Sequence, residues 1–228
     1  MKVTQHVLYA IDDAEAGKFD SALMHACFSI DATAKRLPNA PKLVGDRYKA
    51  CLRQYYWLLE PMVGAGFNLV DSRFANVQLK KNISPDFADL IYEIFRCSHA
   101  HGDEVPSAYS VLPTSGPFGS TWGLGKGEIH MPDRVIWALL SVPVFSRVNS
   151  GEKTTGDYYL SLGEERFAIR DWWGREDDLR PVAERYNQVR VTLAGLDRLE
   201  DPQPGVAQKV EHVVVVNPPF LETAKSAS

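Results

Sequence analysis

Apolar residues recur three and four positions apart through most of the first hundred residues, the spacing of helices that each bury one side. Residues 4–16 carry Val7, Leu8 and Ile11 ahead of Asp12, Asp13 and Glu15, which predicts a short helix broken by Gly17. Over residues 18–37, Phe19, Leu23, Ala26, Cys27, Ile30, Ala34 and Leu37 form one stripe, a long amphipathic helix ended by Pro38. Asp31 puts an acid in the middle of that helix and reads as an exposed or ion-paired position. Residues 46–63 repeat the pattern with Tyr48, Cys51, Leu52, Tyr55, Tyr56, Leu58 and Leu59; Pro61 disturbs the end and Gly64-Ala65-Gly66 terminates it. Residues 67–79, with Leu69, Val70 and Phe74, fit either a short strand or an irregular helix.

The clearest pattern lies in residues 84–106. Ser84 is placed to cap a helix, Pro85 to occupy its first position, and Asp86 and Asp89 to meet the positive end of its dipole. Phe87, Leu90, Ile91, Ile94, Phe95 and Ser98 form the stripe; Gly102 is the expected C-terminal cap and Pro106 forbids continuation. Arg96, His99 and His101 fall in the last turns.

Beyond Pro106 the pattern changes. Residues 113–128 are rich in glycine and proline and read as a loop; Lys126 is not followed by Ser or Thr, so this is no phosphate-binding P-loop. A short strand is expected at 128–131, a helix at 132–145 strained by Pro143, and a hairpin from 157–162 and 166–172 around Gly163-Glu164-Glu165. A long helix is expected at 176–199. The β-branched run 210–216 needs a pairing partner or a cover, and residues 222–228 are expected to be disordered. The resulting organisation is mainly α: a helical bundle over 1–112, a smaller α+β extension with hairpin and long helix over 113–205, and a tail with a short strand over 206–228.

Composition changes this picture little. At 228 residues, 45% hydrophobic and 24% charged, the chain has the proportions of a globular protein with a real core. A net charge of −4 argues against general coating of nucleic acid while allowing a local basic patch. Cys27, Cys51 and Cys97 include no C-x-x-C pair and read as reduced thiols of a cytoplasmic protein. No signal-peptide pattern opens the chain, and no apolar run approaches the roughly 18 residues of a membrane span, so no membrane partner is expected.

Arg96 and His101 make an R-x4-H pair. A neutral imidazole can take the proton of a ribose 2′-hydroxyl while a guanidinium holds the phosphate, chemistry that needs no metal or other cofactor. Positions five apart lie about 140° round a helix. The pair therefore converges only if the helix ends between the two residues or a second chain supplies one of them. The bland readings are cationic side chains stabilising a helix C-terminus and a hydrogen-bonded core arginine. His99 lies three residues from Arg96 on the same face, as an accessory or capping group. Cys97 beside the stripe reads as a buried structural thiol. Trp172 and Trp173 with Arg170 and Arg175 resemble a base-stacking surface, but nearby Glu164, Glu165, Glu176, Asp177 and Asp178 favour a core or interface role.

The helix ending in R-x4-H and Gly102, placed after two long helices of which the first carries Ile30-Asp31-Ala32-Thr33, resembles the HEPN superfamily over about the first 110 residues. That resemblance implies a HEPN-like helical bundle, a homodimer bringing Arg96 and His101 of two subunits together, and a metal-independent endoribonuclease. It also implies a toxin–antitoxin or phage-defence setting, with RNA as substrate and an antitoxin protein as partner. His101 would be general base, Arg96 would hold the phosphate and His99 would assist. The sequence departs from the active pattern at Cys97, where active members often carry Asn, Asp or His; the alternative is a non-catalytic dimerisation or binding module. His99, His101, Asp103 and Glu104 also resemble the H-x-H-x-D-H run of metallo-β-lactamase-like hydrolases with the last histidine replaced, giving a zinc-dependent hydrolase as a second alternative.

Overall fold

A computed structural model describes residues 2–64, 67–79, 84–114, 120–187, 192–193 and 213–216. Helix α1 (Val3–Glu15) buries Val3, Val7, Ala10, Ile11 and Ala14, and Gly17 turns the chain at φ 72° into α2 (Phe19–Ala34). The short connection lays α1 antiparallel on α2. Besides its apolar stripe, α2 buries Ser29, Asp31 and Thr33. The two hydroxyls are satisfied on their own helix, Ser29 donating to the Ala26 carbonyl (2.7 Å) and Thr33 to that of Ser29 (2.8 Å).

The stretch read as one helix over 46–63 is two: α3 (Val44–Gln54) and α4 (Tyr56–Val63) meet at Tyr55, whose ψ of 13° breaks the regular turn. The Tyr55 hydroxyl bonds to Ser146 (2.7 Å) and donates to Glu176 (2.8 Å), pinning the break to the C-terminal half. Residues 67–79 are neither strand nor helix but turns with isolated bridges. Buried Glu60 organises them, accepting the Leu69 amide at 2.9 Å.

A continuous helical run follows: α5 (Phe87–Leu90), a π-helical segment (Ile91–Arg96) and α6 (Cys97–His101). Strands β1 (Tyr109–Leu112), β2 (Ser120–Gly125), β3 (Glu128–Pro132) and β6 (Val213–Val216) form a four-stranded sheet in the order β1-β3-β2-β6, with only β1 and β3 parallel. Strand β2 corrects the expected loop over 113–128; residues 115–119 lie outside the described residues. Gly123 and Gly125 hold strand positions because they face His130 and Glu128, where an added Cβ would come within 3.2 Å of either side chain. Of the β-branched run, Val213–Val216 is paired, as β6 on β2, and residues 210–212 lie outside the described residues.

Helix α7 (Arg134–Phe145) is buried on nearly every side and packs on α1, α2 and α4, the place for a helix apolar all round. On the sheet, Trp122 stacks on Phe67 (5.3 Å between centroids) and meets Phe74 and Phe87 at 6.0 and 6.3 Å. The hairpin is β4 (Tyr159–Leu162) and β5 (Glu165–Ala168), turning at Gly163. The expected second strand stops early, because 169–172 fold into the short helix α8 (Ile169–Trp172). Helix α9 (Glu176–Tyr186) is shorter than expected: Thr192 and Leu193 are not helical, and the Leu193 amide donates to Ser72 Oγ (2.9 Å) while its carbonyl accepts from Arg73 (3.3 Å). The expected disordered end lies outside the described residues. The protein is mainly α with a small sheet, and no described helix is long and apolar enough to cross a membrane.

Candidate functional site

The helix that carries Arg96 is anchored at its start by charge. Its N-cap is Asp86, not Ser84: the Asp86 carboxylate accepts the Asp89 amide (2.9 Å) and Asp89 reaches back to the Asp86 amide (3.3 Å). Pro85 stays outside the helix, its carbonyl accepting from the Phe74 amide at 2.8 Å. Arg53 of α3 grips Asp86 with two bonds of 2.7 and 3.1 Å and lies 3.1 Å from Asp89, while Lys49 pairs with Asp89 (3.1 Å) and Glu93 (3.6 Å). Burial alone would raise the pKa of Asp86, but Arg53 and the Asp89 amide bring it below the ordinary carboxylate range.

Between Ile91 and Arg96 the helix widens, and the Cys97 amide bonds to the Tyr92 carbonyl five residues back. Arg96 closes this turn. It is largely buried, and its Nη2 donates to Asp31 Oδ2 at 3.0 Å, while its guanidinium lies 5.6 Å from the Tyr92 ring centre. Burial is the largest single influence and opposes the charge, but the bond to Asp31, the Asp31 charge and smaller contributions from Tyr92 and Cys97 together outweigh it, and the pKa of Arg96 rises. Lys35 adds a second cation 3.9 Å from Asp31 Oδ2. Arg96 Nε and Asp31 Oδ1 are buried with no hydrogen-bond partner among the described residues, so the pair meets through one bond and not as a closed fork.

His99 is half-buried, its Nε2 likewise buried without a partner among the described residues. Burial lowers its pKa against the opposing charge of Asp20, favouring the neutral ring. His101 is exposed on the last turn of α6. The helix does not end between Arg96 and His101. It runs through His101 and closes at Gly102, φ 74°, with the Asp103 amide on the Ser98 carbonyl (3.0 Å) and the Gly102 amide on that of His99 (3.4 Å). Arg96 thus turns inward to α2 while His101 faces solvent, and within one chain no hydrogen bond joins them.

Among the described residues no three His, Cys, Asp or Glu side chains are grouped to hold a metal ion, His99, His101 and Asp103 included. Cys27 and Cys51 are buried, and burial pushes both thiols up to about 12, out of the reactive range. Cys97, expected to be buried, is only half-buried. Trp173 is buried, and Trp172 packs edge-on against Phe167 (4.6 Å) and Phe145 (6.0 Å). Arg175 covers Trp172 at 4.4 Å and is paired with Asp178, and Arg170 is paired with Asp157. A cavity of about 560 Å³ lies elsewhere, between α1, α4, α7 and β4, lined by Arg134, Trp137 and Tyr158 among others. Tyr92 is the site residue that spacing had not singled out, although its position four before Arg96 places both on one helical face.

The family model that matches this chain is Rv1289, over residues 2–197. The chain belongs to the Rv1289 family. It is 32% identical to the uncharacterized protein Rv1289 of Mycobacterium tuberculosis over 201 residues, 86% of this chain and 93% of that protein. The same values hold for the uncharacterized protein Mb1320 of Mycobacterium bovis. No solved structure matches. The Rv1289 match spans Asp31, Arg96, His99 and His101 and continues through α9, so the family unit comprises both the helices and the α+β part.

Proposed function

We propose that this chain is a metal-independent endoribonuclease of HEPN type, acting as a homodimer in which Arg96 of one subunit and His101 of the other share a phosphodiester. The observation that carries this reading is the clamped guanidinium of Arg96. Asp31 accepts a hydrogen bond from Nη2 and the Tyr92 ring supports one face, while Nε is buried without a partner among the described residues. A guanidinium fixed in this way is oriented before substrate arrives, so little ordering remains to be done as it meets a phosphate. His101 is exposed on the last turn, and in this reading it acts across the subunit interface as general base. His99, kept neutral by burial, assists from the face it shares with Arg96. RNA is the substrate, the setting is toxin–antitoxin or phage defence in the cytoplasm, and an antitoxin protein is the natural partner.

The second reading is a non-catalytic dimerisation or binding module. The charge of Arg96 is already matched by Asp31 inside the same chain, and Cys97 follows it. RNA incubated with the purified protein in EDTA separates the two. Transesterification leaving 2′,3′-cyclic phosphate and 5′-hydroxyl ends, reduced at least about a hundredfold in both Arg96→Ala and His101→Ala, supports the nuclease. A folded dimer that leaves RNA intact supports the module, and wild-type cleavage that either variant retains in full removes the assigned site.

A further inference from the structure

Helices α1 and α2 bring together a second pair of histidines, remote in sequence from Arg96. His6 and Tyr9 lie three apart on α1, His25 and Phe28 three apart on α2. The antiparallel packing places His6 against both His25 (5.4 Å between centroids) and Phe28 (5.6 Å), and His25 against Tyr9 (5.3 Å). In the middle of this aromatic quartet the two Nδ1 atoms face one another at 3.1 Å. Each ring is half-buried, so a small ion has access from solvent, while the neighbouring rings restrict how far either imidazole can turn.

Two neutral imidazoles meeting through Nδ1 share one proton, one ring donating and the other accepting. A divalent cation can take that proton's place. Metal–imidazole bonds of about 2.0–2.1 Å put two ligating nitrogens about 2.9 Å apart at a right angle and about 3.3 Å apart in a tetrahedron. The observed 3.1 Å lies between these, so the pair has the spacing of a bidentate ligand, and turning the two rings so that both Nδ1 lone pairs meet at one point completes it. Coordination moves the donor ring's proton from Nδ1 to Nε2 and releases none. We propose that His6 and His25 form a binding site for an imidazole-seeking divalent cation of the zinc, copper or nickel group. Two protein ligands leave the remaining positions to water or to a second copy of the chain; oxygen-seeking magnesium and calcium are not bound here. Burial, with the charge of His25 second, brings the pKa of His6 down to about 4, and burial lowers that of His25, so protons compete weakly for the pair near neutrality.

Zn²⁺ titrated into the full chain by equilibrium dialysis, with excess Mg²⁺ present, tests the site. Saturation at one zinc per chain, or one per two chains, is expected, with affinity lowered at least about tenfold in His6→Phe and His25→Phe, the least that losing even an outer partner costs a metal site. Phenylalanine preserves the aromatic packing. Should either variant fail to fold, ¹⁵N resonances of the wild-type histidine rings decide, because zinc must shift His6 and His25 and leave His130 in place. Absence of zinc binding, undiminished binding in both phenylalanine variants, or binding lost only on replacing His99 or His101 overturns the proposal.

Discussion

Asp31 and Arg96 hold opposite charges in a largely buried contact, and the cost of removing one falls on the other. Arg96→Ala leaves the Asp31 carboxylate with Lys35 at 3.9 Å as its cation among the described residues. A stability loss of about 2–3 kcal/mol is expected, below the usual cost of orphaning a buried charge because Lys35 remains and some solvent reaches the pair. In urea titrations, combining Asp31→Asn with Arg96→Met should cost less than the sum of the two single changes. The sequence offered Asp31 as exposed or ion-paired without choosing, since periodicity reports which side of a helix an acid occupies and not which cation faces it. His6 belongs to this scale too. Its folded pKa near 4 lies below the ordinary value of 6.5, so the unfolded chain binds the proton first. Its contribution keeps stability highest above about pH 6.5 and reduces it as pH falls from there toward 4. The urea midpoint should therefore drop between pH 7 and pH 5, and less steeply in His6→Phe.

The helical elements were legible where periodicity and a terminator coincided, as in α1, α2 and the run closed by Gly102. Boundaries moved where a tertiary partner competed. Ser84 and Pro85 make a credible helix start, yet Asp86 caps the helix because its carboxylate serves both the Asp89 amide and Arg53. Asp86→Ala is expected to cost about 1–2 kcal/mol, mostly the lost cap, because Arg53 is partly exposed and keeps Asp89 as a partner, and Asp86→Asn, which retains the cap, clearly less; chemical denaturation distinguishes them. The π-helical turn that delivers Arg96 to Asp31 left no signature in the spacing, because a 3.6-residue template absorbs it as a slight drift of the stripe. Gly174, at φ 75° between α8 and α9, donates its amide to the Val144 carbonyl, and an added Cβ would lie 2.5 Å from the Ser150 Cα. Gly174→Ala should cost at least about 2 kcal/mol by thermal or urea unfolding, from left-handed backbone strain plus a clash that no side-chain rotation relieves.

At the scale of the molecule, one core serves the whole described chain. Helix α7 lies against α1, α2 and α4, and Trp122 of the sheet sits among Phe67, Phe74 and Phe87. A fragment ending at residue 112 loses both. It is expected to show no cooperative unfolding transition by circular dichroism, and a fragment that melts cooperatively would place the bundle's stability within its own helices. Light scattering on the intact chain bears on the proposed nuclease. A dimer with the two His101 side chains within about 10 Å supports a shared site, and a strict monomer removes it.

The order of apolar residues by itself determined a mainly helical chain, its first helices, the stop at Gly102 and the demand of the final β-branched run for a partner. These depend on neighbours a few residues apart, and each residue carries its own share of the signal. Folding decided what meets across long separations: Asp31 with Arg96, His6 with His25, Tyr55 with Glu176, and Gly123 opposite His130. Such pairings follow from how elements pack, a property of several surfaces at once.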